Sequence, residues 1–141
     1  MSSFDPIPVR NRQLTLSFPS TLYLSPVLDL LLADVPPQLV PLVRLGLQEA
    51  LVNAAKHGNN LDPAKAVRVH YQGGADWWCW AIEDQGAGCP ECACLHQGPA
   101  DSWESGRGLY ILHQVFDRVE WCQQRQRLHL TKRLTEVPAC P

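Results

Sequence analysis

The sequence predicts an α+β fold of two layers, with helices on one face of a mixed, mostly antiparallel sheet. Three observations predict it. Apolar residues alternate in several short runs, which is the period of a half-buried strand. Two longer runs carry apolar residues at helical spacing instead. The later strand signals are joined by short turns, which suits hairpins rather than a series of crossovers.

The elements follow in order. Residues 1–12 read as a lead-in. Leu14, Leu16 and Phe18 alternate with Thr15 and Ser17, a short strand closed by Pro19. Ser25-Pro26 is expected to start a helix, with serine as the cap and proline at the first helical position. A longer helix is expected over residues 38–57, with Pro41 in its first turn. Val43, Leu47, Ala50, Leu51 and Ala54 line its apolar face, and Gly58, Asn59 and Asn60 are expected to end it in left-handed geometry.

Two strands are expected next, AVRVHY (66–71) and WWCWAIED (77–84), paired across Gly73-Gly74. Alternation sets Trp78 and Trp80 on one face, as core, and Trp77 on the other, where it or Trp121 could serve an interface. Residues 85–107 are glycine-rich and irregular, and a loop of that length in a small domain is usually functional. Leu109, Leu112 and Phe116 then show helical spacing. Val119 and Trp121 open another strand, and QQRQ turns into a last one through Leu128 and Leu130. The domain is placed at residues 13–135, with 1–12 and 136–141 as peripheral tails.

Composition narrows the function classes. The chain has 141 residues, enough for one domain with a core of its own. Its formal net charge of −2 comes with no basic run, which argues against a charge-driven nucleic-acid binder. No stretch approaches the ~18 apolar residues of a membrane span, and the N-terminus lacks a secretory core, so a cytoplasmic location is the expectation. The six cysteines are unevenly spaced and are expected to stay as thiols.

Three short motifs can carry chemistry. Glu49 and Asn53, spaced i and i+4, project from nearly one side of the long helix, away from its apolar stripe. A carboxylate there can deprotonate a nucleophile, and an amide oxygen can hold a hard cation; alone, the pair reads rather as a solvent-facing helix surface. Asp84 opens Asp84-Gln85-Gly86-Ala87-Gly88, where a carboxylate can accept from a base amine and glycines allow close approach; alone, it reads equally as an ordinary turn. Gly106-Arg107-Gly108 precedes a helix and can turn backbone N–H groups towards an anion, or simply start that helix.

Their order decides between these readings. E-x-x-x-N on a helix, then strand–D-x-G-x-G, then loop–G-x-G–helix resembles the nucleotide site of the GHKL (Bergerat-fold) ATPase/kinase superfamily. LGLQEALVNAAKHGN, AIEDQGAGC and SGRGLYILHQVFDRVEW together resemble the bacterial anti-sigma factor serine/threonine kinases, the RsbW and SpoIIAB-like proteins, over about residues 14–134. The resemblance implies a histidine-kinase-like two-layer sandwich that binds ATP and Mg2+. It implies Glu49 as general base, Asn53 as the magnesium ligand and Asp84 as the adenine-recognising acid, with Gly86 and Gly88 supporting that pocket. Gly106, Arg107, Gly108 and the adjoining Leu109 match the phosphate side, and Lys56 and His57 lie where a polar group can approach phosphates.

The implied activity is phosphorylation of a serine on a STAS-domain anti-sigma factor antagonist, within partner switching that also involves a sigma factor. The implied state is a homodimer, with no direct contact to nucleic acid or membrane. The alternative is an ATP-binding regulatory module that sequesters a partner without kinase activity. A histidine-kinase catalytic module is disfavoured, because no phosphoacceptor helix precedes the domain. Cys89, Cys92, Cys94 and His96 depart from the family pattern: their spacing is too compressed for the usual zinc site, and free thiols in a variable loop are the plainer reading.

Overall fold

The computed structural model describes residues 12–86, 107–122 and 124–134. Strand β1 (Arg12–Pro19) is followed by helices α1 (Ser25–Leu31) and α2 (Val40–Val52), the latter continued by a wider π-helical turn, Asn53–Gly58. Strands β2 (Ala66–Gly73) and β3 (Trp77–Glu83), helix α3 (Arg107–Val115), and strands β4 (Arg118–Cys122) and β5 (Arg127–Arg133) complete the order. The sheet runs β1-β2-β3-β5-β4, and every pairing among the described strands is antiparallel.

One face of the sheet is the core. Val67, Val69 and Tyr71 of β2, Trp78, Trp80 and Ile82 of β3, Val119 of β4, and Leu128 and Leu130 of β5 are buried there. They pack with Leu28 and Leu31 of α1, Val43, Leu47, Ala50 and Leu51 of α2, and Leu109 and Leu112 of α3. The apolar face expected for the long helix is therefore the buried one. Each large aliphatic or aromatic side chain so buried stabilises the fold by about 1.5–3 kcal/mol.

Trp80 sits at the centre, fully buried, with its ring centroid 5.8 Å from those of both Tyr71 and Phe116. Its indole N–H donates to the carbonyl of Leu31 at 3.2 Å and so ties sheet to α1. The Tyr71 hydroxyl donates to Asp34 Oδ2 at 2.9 Å, and Arg12 holds the other carboxylate oxygen at 2.9 Å. Burial and then the Asp34 carboxylate push the Tyr71 hydroxyl well above its ordinary pKa.

The opposite face is open and polar. In register, Arg68 faces Glu83, which faces Arg127, and one row on, His70 faces Ala81, which faces His129. Arg127 donates to the Glu83 carboxylate through both Nε and Nη2. Burial alone would raise the Glu83 pKa, but the Arg127 hydrogen bonds and charge outweigh it and hold it below the ordinary value.

Four local expectations are corrected. The cap of α1 is Leu24, not Ser25, and no side chain caps the helix. The Ser25 hydroxyl instead accepts from Arg44 Nη2 at 3.1 Å, while Arg44 also pairs with Asp29, a cross-link from α2 to α1 that outcompetes local capping. The long helix is not α-helical to residue 57, because it widens at Asn53. Of Gly58, Asn59 and Asn60, Asn60 alone adopts left-handed geometry, with φ of 53°, and Leu61 follows at 56°. The described part of α3 runs from Arg107 to Val115, so Arg107 and Gly108 are helical and not a loop before the helix.

Candidate functional site

The site is built where the end of the long helix meets the end of β3. Glu49 is half-buried on α2, and Asn53 starts the π-helical turn with only 7% of its surface exposed. Asn53 is therefore not on a solvent-facing surface. Neither its amide nitrogen nor its amide oxygen has a partner among the described residues, and both atoms are buried. Leaving such a group unpaired costs about 1–3 kcal/mol. The only other such atom among the described residues is Trp121 Nε1. An orphaned buried amide oxygen one turn beyond a carboxylate is a fitting protein ligand for a hard cation that draws its other ligands from phosphate and water.

Five residues on from Asn53, the same turn closes on the Asp84 segment. A Cβ on Gly58 would lie 2.3 Å from Asp84 Oδ2, and a Cβ on Gly86 would lie 1.9 Å from the Gly58 carbonyl oxygen. Both glycines are required by this close approach. Gly86 N–H donates to Asp84 Oδ1 at 2.9 Å, an Asx-type turn that fixes the carboxylate. Burial pushes the Asp84 carboxyl above its ordinary pKa, and the Gly86 N–H and Lys65 only partly oppose that. A desolvated carboxylate held by its own turn is a selective acceptor for a base amine, because hydrogen bonds strengthen in a low dielectric.

Sequence reasoning missed the residue that holds these parts together. Asn59 is fully buried. Its Nδ2 donates to Ser20 Oγ and to the Ala66 carbonyl, each at 2.9 Å. Its Oδ1 accepts the Gln85 backbone N–H at 2.7 Å. The Gln85 side chain in turn accepts the Ala66 N–H at 2.7 Å. The Asn59-Asn60 pair was visible in the sequence only as a helix end. Nothing local marks which asparagine turns inward.

Gly108 and Leu109, expected on the phosphate side, are buried in α3, which packs along α2. A Cβ on Gly46 of α2 would lie 2.9 Å from Val115 of α3 and 2.6 Å from the Phe116 ring just after it, so the two helices approach closely there. Lys56 and His57 are exposed in the last turn before Gly58. Gly88 and Gly106 lie outside the described residues, as do Cys89, Cys92, Cys94 and His96, and the Arg107 side chain is not described. Among the described residues no cluster of three or more metal-ligating side chains occurs, and no helix is long and apolar enough to cross a membrane.

A shallow cavity of about 300 Å3 lies on the open sheet face, lined by Thr15, His70, Gln72, Cys79, Arg127 and His129 among others. None of the residues expected to bind nucleotide lines it. It is separated from them by the sheet itself.

Comparison with known proteins agrees with this geometry. No curated protein matches the chain. A family profile described as the histidine kinase-like ATPase domain matches residues 27–132, about three quarters of the chain, spanning α1 to β5. The chain belongs to the histidine kinase-like ATPase family, and is an ATP-binding domain of GHKL type.

Proposed function

We propose that this protein is an ATP-dependent protein serine/threonine kinase of anti-sigma factor type, which phosphorylates a serine on a STAS-domain antagonist. The observation that carries it is the pairing of half-buried Glu49 with the orphaned, buried amide of Asn53 one turn later. A module that only bound nucleotide would have no use for the carboxylate.

In this reading Asp84 accepts from the adenine amine, and the first turn of α3, at Gly108 and Leu109, turns its N–H groups towards the phosphates. The motif resemblance assigns Lys56, His57 and Arg107 to the phosphate side. Asn53 would hold magnesium, which when bound offsets charge on the phosphate oxygens. Glu49 orients the acceptor serine and takes its hydroxyl proton as the serine oxygen bonds to the γ-phosphorus and the bond to the ADP oxygen breaks. The chain's own contribution is alignment and fixed charge, which is how phosphoryl transfer is mainly accelerated. The partner-switching context, the sigma factor as second partner, the homodimer and a cytoplasmic location belong to the same proposal and rest on the motif resemblance.

The test is incubation with ATP, magnesium and purified STAS-domain proteins. Phosphate is expected on a partner serine, and E49A and N53A are expected to abolish it. Tight, magnesium-dependent ATP binding with no transfer to any such partner would favour the sequestering module instead.

A further inference from the structure

Asn59 stands at the junction of the two halves of the site. One end of its side chain is anchored in the scaffold, through Ser20 Oγ and the Ala66 carbonyl. Ser20 is itself anchored, since its hydroxyl donates to the Lys65 carbonyl at 2.8 Å. The other end of the Asn59 side chain accepts the N–H of Gln85, the residue directly after Asp84. Its backbone N–H donates to the Ala54 carbonyl at 2.9 Å, and Leu61 N–H donates to Ala55 at 2.7 Å, which locks the wide turn that begins at Asn53. So one residue closes the turn carrying Asn53 through its backbone N–H and pins the segment carrying Asp84 through its buried side-chain amide. Both Nδ2 hydrogens and one acceptor position of Oδ1 are spent on that junction.

We infer that Asn59 is a positioning residue for base selectivity: it holds the Gln85 backbone so that the Asp84 carboxylate meets an adenine amine in one geometry. This rests on the nucleotide reading of the site. Without the Asn59 acceptor, the Gln85 N–H is left unpaired and the Asp84-Gln85-Gly86 turn is free to shift. A carboxylate that shifts still attracts donors, but it loses its discrimination between the amine of adenine and the carbonyl of guanine at the same ring position. The predicted loss is therefore in the ratio of affinities and not only in their size.

The experiment measures ADP and GDP binding to the full chain by calorimetry, in wild type, Asn59→Ala and Tyr71→Phe. Tyr71→Phe removes one buried hydrogen bond on the Asp34 side of the fold and serves as a destabilised control. Wild type is expected to prefer ADP, Asn59→Ala to lower that preference at least fivefold, and Tyr71→Phe to keep it. Retention of the full preference by Asn59→Ala would overturn the inference while leaving the nucleotide reading intact. Equal loss in both variants would also overturn it, since the effect would then be one of general stability. Absence of ADP binding by wild type would overturn both readings. Hydrogen exchange on the wild-type protein gives a second measure that needs no variant. The Gln85, Asn59 and Leu61 amides are expected to gain protection together on adding ADP, and protection of Gln85 without the other two would refute the coupling.

Discussion

The α-carbon of Gly58 lies against the carboxylate of Asp84, so closely that a Cβ on residue 58 would stand 2.3 Å from Oδ2. The last residue of the π-helical turn thus packs directly on the Asp84 carboxylate. The helix that carries Glu49 and Asn53 runs directly into the group proposed to recognise adenine.

Gly58→Ala and Gly86→Ala should separate in their effects. At residue 58 the new methyl meets a side chain that can turn away, so the fold survives while ADP affinity falls tenfold or more. At residue 86 it meets a backbone carbonyl at 1.9 Å, so the chain itself must move. Overpacking of that kind costs about 1–3 kcal/mol. Thermal melts and calorimetric titration with ADP check both, and unchanged ADP binding by Gly58→Ala would remove the functional meaning of this contact.

Asn53→Ala should lose magnesium-dependent nucleotide binding without destabilising the ligand-free protein. Its amide is buried and without a partner among the described residues. Deleting it removes a desolvation cost, and a gain of about 1 kcal/mol is expected. Chemical denaturation with and without ADP and magnesium measures the two effects separately. A large loss of ligand-free stability would show that the amide has a structural role.

Glu49→Gln keeps the size and hydrogen-bonding shape of the side chain but removes the base. ATP affinity should stay within about twofold, and turnover should fall by about 10²–10⁴. Single-turnover transfer from labelled ATP is the measurement. A fall in affinity with unchanged turnover would assign Glu49 to binding.

Two carboxylates give opposite pH signatures. Glu83 is held below its ordinary value of 4.5 by Arg127 against the effect of burial. Its contribution is present above that ordinary value and is lost as pH falls through the lower, folded-state pKa. Glu83→Gln should therefore cost about 2 kcal/mol at neutral pH, and less in acid. Asp84 is raised above its ordinary value of 3.8, chiefly by burial. Its contribution is present below 3.8 and is lost as pH rises through the raised pKa, so Asp84→Asn should stabilise the ligand-free protein at neutral pH while weakening ADP binding. Urea melts across pH 3–7, taken as roughly the span of these titrations, test both signs.

Tyr71→Phe should cost about 1.5–3 kcal/mol, the range for a hydrogen bond to a charged group. Its hydroxyl donates to Asp34, away from Asp84 and Gly58. Nucleotide affinity should not change, and a joint loss of stability and affinity would show that the two regions are coupled.

The sequence by itself determined the class of fold, the order of elements and the family. Those follow from periodicity and from motifs in a fixed order, both of which are local. Val67, Val69 and Tyr71 alternate, and that alone puts them on one sheet face, as the structure has them. Glu49, Asn53 and Asp84 were singled out as candidates for the same reason. Only the tertiary structure decided what the neighbouring polar and small residues do. Gly58 reads as a helix stop, yet it is glycine because the carboxylate of Asp84, just past β3, packs on it, while the left-handed positions fall on Asn60 and Leu61. Ser25 reads as a cap, yet it serves Arg44 from the next helix. Asn59 reads as a turn residue, yet its amide joins Ser20, Ala66 and Gln85, partners up to 39 residues away in sequence. Hydrogen bonds and steric contacts across such separations leave no periodic trace in the chain. They exist only once the apolar faces have packed and brought those groups within reach.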